Sequence, residues 1–224
     1  RFIVSNLNDF EHNEDLKLVQ SYIESMNPNT VDAYAIELTQ TFQETVLTHY
    51  KNYQFRDANQ AIYQFCNETL SSFYCSTVKD RLYCDTKKSD RRLRTQYTLR
   101  YILEILLRTL SPILPHTCDE VMESLLGTDT PTIQGVAALP NISLTAHSNW
   151  KTVMEVRKQV LKALEDAKTN GIENSLDAGV ELPDSLAITE FSNDLADIFG
   201  VSRAQFTQTT DIKINNLQDQ HLWL

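Results

Sequence analysis

The sequence predicts a mainly α fold, an antiparallel helical bundle followed by a small α/β unit. Glycine and proline are sparse, at 5 and 6 of 224 residues, which favours helices over turn-rich β structure. Apolar residues recur at helical spacing through most of the chain, and this period is lost after about residue 171. We therefore expect four segments: a bundle over residues 1–127, a linker over 128–149, a final long helix over 150–172 that packs on the bundle, and the α/β unit over 173–224.

Two apolar stripes predict the first long helices. Leu16, Val19 and Ile23 share one face of a helix over about 15–25. The turn Asn27-Pro28-Asn29-Thr30 then provides the start of a second helix over about 30–50. The stripe of that second helix consists of Val31, Ala35, Leu38, Phe42 and Val46.

The next helices are bounded by capping and breaking signals. Asp57 with Gln60 resembles a capping box, which opens a helix that continues to about Tyr83. A polar loop over 85–90 leads into a helix over about 91–110, which ends before Ser111-Pro112. A short helix follows, with Pro115 in its first turn and Gly127 at its end.

The last third of the chain changes in character. Residues 128–149 are rich in Thr, Pro, Gly and Ser, which is typical of a linker. Regularly spaced apolar residues from Trp150 onwards predict the final long helix, which ends near Lys168. Beyond it we expect a strand over 178–182, a helix over 194–199 and a second strand over 211–214.

Charge is distributed very unevenly. The formal net charge is −10, which argues against general nucleic-acid binding. Residues 79–108, however, hold nine of the 20 basic side chains and only four acidic ones. This segment spans the end of one helix, a turn and the start of the next, so its charges should cluster at one end of the bundle.

Tyrosines accompany these cations, namely Tyr74, Tyr83 and Tyr97. Cations that neutralise phosphates, together with rings that stack on unpaired bases, suit single-stranded or loop RNA. The alternative is an ordinary solvated surface whose cations pair with neighbouring acids. Those acids are Asp80, Asp85 and Asp90. Composition leaves both interpretations open.

Other classes of site have little support. The four cysteines lie far apart and have no zinc-ligand spacing, so we expect reduced thiols, no metal site and a cytoplasmic protein. The longest apolar stretch, residues 101–110, contains Glu104 and Arg108 and predicts no membrane span. Because the chain starts with Arg1 rather than Met, we expect it to be a segment of a longer polypeptide.

Several motifs, in the same order along the chain, resemble the helical anticodon-binding domain of isoleucyl-tRNA synthetases. Residues 73–83 are similar to that family's FY…KDRLY signature, and residues 1–10 to its RF-x-x-x-NLNDF segment. Residues 50–55 resemble its Y-x-x-Y-x-F helix exit, and residues 112–121 its PILPFTAEEIW element. Ser175-Leu176-Asp177-Ala178 resembles its SLEA strand entry. Together these cover about residues 1–182.

The resemblance implies a function in tRNA recognition. The full enzyme of that family activates isoleucine with ATP and Mg²⁺ and transfers it to tRNA, using HIGH and KMSKS motifs that do not occur in this sequence. We therefore expect a C-terminal fragment that binds the anticodon stem-loop of an isoleucine-accepting tRNA and contains no catalytic residue, no cofactor and no metal. Its other partner would be the catalytic domain of the same polypeptide, and we expect a monomer that binds neither DNA nor membrane.

The candidate RNA-binding residues lie in the cationic segment. They are Lys79, Arg81, Tyr83, Arg91, Arg92, Arg94 and Tyr97. For Arg81, a salt bridge within the fold is an equally good interpretation. The sequence departs from the family at residues 92–96, where many members have R-R-S-A-Q. Two alternatives remain: the equivalent domain of a valyl-, leucyl- or methionyl-tRNA synthetase, and a helical scaffold whose basic corner binds an acidic protein.

Overall fold

The structure, a computed structural model, describes residues 1–13, 15–127, 142, 144–146, 149–168 and 172–217. The chain forms two compact units, the first made of residues 1–28 and 32–145 and the second of residues 29–31 and 146–224. In the described residues the first unit is helical, and the second combines helices with a three-stranded sheet. The predicted fold class, mainly α with a small α/β unit, is confirmed.

The helices of the first unit follow the sequence pattern closely. They are α1 (Phe2–Leu7), α2 (Leu16–Glu24), α3 (Val31–Lys51), α4 (Phe55–Gln64), α5 (Cys75–Cys84), α6 (Asp90–Leu110) and α7 (Pro115–Leu126). Helix α2 begins where the Asp15 carboxylate accepts a hydrogen bond of 2.9 Å from the backbone N–H of Leu18. Proline opens α7 and Gly127 follows its last residue, as predicted.

The long helix predicted over 57–83 differs in two respects. It starts earlier, at Phe55, and its N-cap residue Gln54 makes no side-chain capping bond, so the capping box at Asp57 is not what opens it. It is also interrupted between α4 and α5 by a π-helical segment, Phe65–Tyr74. A π-helical turn is wider than an α-helical turn, which shifts the faces of the following residues relative to a continuous α-helix.

Helix α6 is the central helix of the first unit. Every side chain from Thr95 to Leu107 is buried, because α1, α2, α5 and α7 all pack against it. Leu99 and Ile102 are completely enclosed, and each such side chain contributes about 1.5–3 kcal/mol relative to an exposed one. The apolar stripe predicted only one buried face. The other faces carry polar residues that are buried together with their partners.

The second unit is built around a central strand. Strand β1 (Ala178–Pro183) pairs in parallel with β2 (Arg203–Thr207) and antiparallel with β3 (Lys213–Asn216). Helix α9 (Ser192–Phe199) connects β1 to β2 and ends at Gly200, whose φ of 69° is a left-handed conformation that suits glycine. Helix α8 (Trp150–Lys168) packs against α9, where Arg157 Nε donates a hydrogen bond of 2.9 Å to the Ile198 carbonyl.

The sequence predictions for this unit are partly correct. The first strand and helix α9 lie where expected, whereas the strand predicted over 211–214 is found at Lys213–Asn216. Strand β2 was not predicted, because it is an edge strand with no fully buried residue and therefore lacks clear alternation. The long helix over 150–172 was assigned to the bundle, whereas its contacts group it with the second unit.

The predicted linker over 128–149 lies largely outside the described residues. Of its few described positions, Ile142 belongs to the first unit, where its carbonyl accepts a hydrogen bond of 2.7 Å from Gln40 Nε2 on α3. This part of the linker is therefore attached to the bundle.

Candidate nucleic-acid interface

A buried carboxylate on α3 binds three other helical elements of the first unit. Asp32, in the first turn of α3, is completely enclosed. Its Oδ1 accepts hydrogen bonds from the hydroxyls of Tyr74 (2.7 Å) and Thr95 (3.1 Å). Its Oδ2 accepts from Arg81 Nη1 (3.0 Å) and Arg94 Nε (2.7 Å). The π-helical segment, α5 and α6 are thus all bound to α3 at one point, which we call the Asp32 cluster.

Electrostatics keep this carboxylate ionised. Burial alone would raise the pKa of Asp32, but the charges of Arg81 and Arg94 outweigh it and the pKa is lowered. Burial and the neighbouring carboxylate raise the pKa of Tyr74 well above its ordinary value, so its hydroxyl remains a donor. Each oxygen of Asp32 therefore receives two hydrogen bonds, and the single negative charge is shared by two guanidiniums.

A second carboxylate organises the turn between α5 and α6. Asp85 accepts a bidentate pair of hydrogen bonds from Arg91, at 3.0 Å from Nε and 2.8 Å from Nη2, and a third from the Ser89 hydroxyl at 3.1 Å. The hydrogen bonds from Arg91 are the main reason why the pKa of Asp85 is lowered. The Arg91 side chain nevertheless remains 40% exposed.

The third carboxylate, Asp9, comes from the segment after α1. Its Oδ2 lies 2.8 Å from Arg92 Nη2 and 3.8 Å from Lys87 Nζ, and its Oδ1 accepts from Gln96 Nε2 at 2.9 Å. The two cations differ in exposure, since the Arg92 side chain is 13% exposed and that of Lys87 is 78% exposed. Arg92 therefore anchors the amino-terminal segment to α6, whereas Lys87 projects from the surface.

A fourth carboxylate accounts for the last two arginines of the cationic segment. Glu104 is completely buried in α6 and pairs with Arg100 at 3.0 Å and with Arg108 at 2.7 Å, one helical turn away on either side. Arg100 is buried as well and donates to the carbonyl of Asn13 through Nε at 2.9 Å. These charges belong to the interior of the bundle.

Lys79 and Tyr83, on α5, lie at the surface. Tyr83 is 67% exposed, and its ring meets the ring of Phe2 edge to face at 6.4 Å. Both side chains border an open cavity of about 630 Å³ that is lined by residues of α1, the π-helical segment, α5, α6 and α7. No ion pair is found for Lys79 within the described residues.

Tyr97 is part of an aromatic cluster and is only 7% exposed. Its ring lies parallel to that of Tyr22, with centroids 3.9 Å apart, and nearly parallel to the ring of His12 at 5.8 Å. Phe10 meets it edge to face at 4.9 Å. Tyr97 is therefore a packing residue between α6, α2 and the segment after α1.

The structure thus separates the seven candidate residues into groups. Arg81 and Arg94 belong to the Asp32 cluster, and Tyr97 belongs to the aromatic cluster. Arg81 and Tyr97 are buried, at 0% and 7% exposure, so the structure places neither side chain at the surface. Arg91 and Arg92 do lie together at the start of α6, as predicted.

Sequence reasoning named Asp85 as a possible partner of these cations, as found for Arg91, but missed Asp9 and Asp32. Asp9 and Asp32 lie far from the cationic segment along the chain, so charge patterning within residues 79–108 could not identify them. A usable signal existed at Asp32, an acid that lies between the apolar residues Val31 and Ala33 and next to the stripe predicted to be buried. An acid in such a position needs a buried cation.

In the part of the chain that the structure describes, no group of three or more His, Cys, Asp or Glu side chains is arranged to hold a metal ion, and none of the helices has the length and apolar character of a membrane span. All four cysteines are free thiols, with Cys84 exposed and Cys118 buried.

Comparison with known proteins identifies close similarities. The protein family described as the anticodon-binding domain of tRNA ligase matches residues 32–182. An isoleucine–tRNA ligase of Coxiella burnetii is 34% identical over 188 residues, which cover 81% of this chain and 19% of the relative. Similar ligases from Blochmanniella pennsylvanica and Cupriavidus pinatubonensis are each 31% identical over 87% and 92% of this chain. The chain spans about a fifth of the length of these curated relatives.

Proposed function

Because the chain belongs to the anticodon-binding domain family of tRNA ligases, we propose that it binds the anticodon stem-loop of a tRNA. The family match over residues 32–182 is the observation that carries the proposal. The relatives are named isoleucine–tRNA ligases, so we propose an isoleucine-accepting tRNA as the ligand. In that case the chain is one part of a ligase that joins isoleucine to tRNA.

Chemistry would then occur outside this chain. An isoleucine–tRNA ligase would use ATP and Mg²⁺ in a catalytic domain of the same polypeptide, and no residue described above has an assigned catalytic role. The contribution of this chain would be positional. Binding energy at the anticodon orients the distant acceptor end of the tRNA for reaction.

The turn between α5 and α6 is the best candidate for the phosphate-binding surface. Lys87 and Lys88 are exposed there, and the Arg91 side chain is 40% exposed. These cations surround the amino-terminal end of α6, whose dipole also attracts anions. On α5, Lys79 and Tyr83 add a cation and an exposed ring. We propose Lys79, Tyr83, Arg91 and Arg92 as the RNA-contacting members of the predicted set.

The buried arginines support this surface from within. Arg81 and Arg94 hold α5 and α6 against α3 through Asp32, and so fix the angle at which the turn between α5 and α6 is presented. Asp85 does the same for Arg91, because a bidentate guanidinium–carboxylate pair restricts the orientation of the planar group. A preoriented guanidinium loses less conformational entropy when a phosphate binds.

The test is a binding titration of the chain with an anticodon stem-loop RNA of an isoleucine-accepting tRNA. Fluorescence anisotropy at several salt concentrations should show affinity that falls with salt, and that also falls when the anticodon bases are changed. Arg91→Gln should lower the slope of log K against log salt by about 0.7–0.9, which corresponds to the loss of one phosphate contact.

Lys51→Gln is the matched control. Lys51 ends α3 and is exposed, and the neighbouring Tyr50 donates a hydrogen bond to the Thr109 carbonyl at the carboxy-terminal end of α6. It therefore lies about 30 Å from the start of this 21-residue helix, and its loss should leave the salt slope unchanged. Equal affinity for every anticodon, or an equal effect of the two substitutions, would contradict the proposal.

A further inference from the structure

The aromatic cluster at Tyr97 has two half-exposed members. Tyr97 and Phe10 are buried, at 7% and 4% exposure, whereas Tyr22 and His12 are each half-buried. Tyr22, on α2, stacks on Tyr97 with an angle of 11° between the rings. His12, in the segment after α1, is inclined by only 12° to the same ring. The buried tyrosine thus fixes the planes of two rings that reach the surface.

Edge-to-face contacts hold this arrangement in place. Phe10 meets Tyr97 at 86° and His12 at the same angle, with centroids 4.9 Å and 5.6 Å apart. Aromatic pairs of this kind stabilise the fold beyond the area that they bury. Tyr22 and His12 therefore present preoriented rings, and a ligand that stacks on them would not have to order them.

Two arginines of α6 belong to the surroundings of this cluster, and each is paired with a carboxylate. Arg92 is bound to Asp9, the residue before Phe10. Arg94 is bound to Asp32 through Nε, and its side chain is 21% exposed. Burial raises the pKa of the Tyr22 hydroxyl, the charge of Arg94 lowers it and the charge of Asp32 raises it. Because both arginines are paired, the ring faces are the feature that fits a nucleotide, whose unpaired base stacks on aromatic side chains.

We propose that Tyr22 and His12 form a stacking surface for an unpaired base of RNA, with Tyr97 as the buried residue that supports it. This rests on the proposed function and extends it to residues outside the cationic segment. It also explains why a tyrosine in the middle of that segment is buried. Tyr97 acts through Tyr22 and is therefore a positioning residue.

The decisive variant is Tyr22→Leu, which keeps an apolar side chain against α6 but removes the ring. Binding of the anticodon stem-loop should weaken by about 5- to 150-fold, the range expected when one base loses its aromatic partner. Tyr22→Phe should bind as the original chain does. Tyr63→Leu is the control, since Tyr63 is 70% exposed on α4, outside the cluster.

A double-mutant cycle with the RNA separates stacking from packing. Each loop nucleotide is replaced in turn by an abasic one, and at the stacked position the original chain should lose about as much affinity as Tyr22→Leu does. The two changes together should cost no more than one alone. Fully additive effects at every loop position would overturn the proposal.

His12→Ala provides a second route that does not depend on the packing of α2. It removes the other half-exposed ring and should also weaken binding at the position that the abasic scan identifies. Unchanged affinity for both His12→Ala and Tyr22→Leu would overturn the stacking surface. Failure of the original chain to bind any anticodon stem-loop would instead refute the proposed function.

Discussion

Substitution of Asp32 by Asn tests whether the buried charge cluster holds the bundle together. The change keeps the size and shape of the side chain and removes only its negative charge. Arg81, which is completely enclosed, and Arg94, which is largely enclosed, would then share the interior without a carboxylate. We expect a large loss of stability in the first unit.

The geometry indicates how much is lost. An asparagine could direct its carbonyl oxygen to the two guanidiniums and its NH₂ group to the hydroxyls of Tyr74 and Thr95, which can rotate to accept. The number of hydrogen bonds could therefore survive, and the cost is mainly that of uncompensated buried charge. Removal of one partner from a buried ion pair typically costs about 3–5 kcal/mol. For a chain of this size that corresponds to a melting temperature lower by roughly 6–20 °C.

Urea unfolding followed by circular dichroism provides the measurement, with Arg81→Met as the coupled variant. In the original chain Arg81→Met should be destabilising, because Asp32 loses a partner. In the Asp32→Asn chain the same change should cost less, by about 0.5–3 kcal/mol, because it removes an uncompensated cation. A loss below about 1 kcal/mol for Asp32→Asn, or additive effects of the two changes, would refute the reasoning.

The comparison of the original chain with Asp32→Asn also predicts how the free energy of unfolding depends on pH. Burial alone would raise the pKa of Asp32, but the charges of Arg81 and Arg94 lower it below its ordinary value of 3.8. Below about pH 5 the unfolded chain therefore binds more protons at this residue than the folded chain, and its stabilising effect is lost as pH falls. The stability difference between the original chain and Asp32→Asn should narrow on acidification from about pH 7 to about pH 3. Asp85 also has a lowered pKa, but it is present in both chains and cancels.

Two further predictions concern other buried groups. Glu104→Gln should destabilise the bundle by about 3–5 kcal/mol in urea unfolding, because Arg100 would remain buried beside a neutral side chain; a loss below about 1 kcal/mol would contradict this. Burial raises the pKa of Cys75 to about 11, so about one in a thousand of its thiols is ionised at about pH 8. Peptide mass spectrometry during alkylation should therefore show Cys84, which is exposed, modified well before Cys75, and the reverse order would be inconsistent with the structure.

Helix positions were predictable because the bundle is amphipathic. The stripes on α2 and α3 gave bounds within one or two residues, since each helix buries one face. The sequence predicted where α6 begins and ends, but not that its polar side chains are buried. Its polar residues are buried with partners from distant segments, and a single-helix pattern cannot show such pairing.

The sequence predicted where the basic residues are concentrated but not which of them reach the surface. The part of the cationic segment at the end of α5 and the start of α6 does form one corner, because its residues are adjacent along the chain, whereas Arg100 and Arg108 pair with Glu104 inside the bundle. Which of its members face solvent depends on Asp9 and Asp32, whose positions follow only from the tertiary fold. Tyr22 was missed for the same reason, since nothing in its local sequence places it beside Tyr97.

The chemistry of arginine and lysine explains which of these cations are buried and which are exposed. Arginine is always charged, weakly hydrated and able to form planar hydrogen-bonded pairs, so it tolerates burial against a carboxylate. Lysine is strongly hydrated and remains in solvent. In this corner the buried partners of Asp32 and Glu104 are arginines, whereas Lys79, Lys87 and Lys88 are exposed. The positive surface proposed for RNA therefore consists of these lysines, of Arg91, whose side chain is 40% exposed, and of the smaller exposed part of Arg92. A count of basic residues overstates the charge available for phosphates, and the salt dependence of binding should reflect the smaller exposed set.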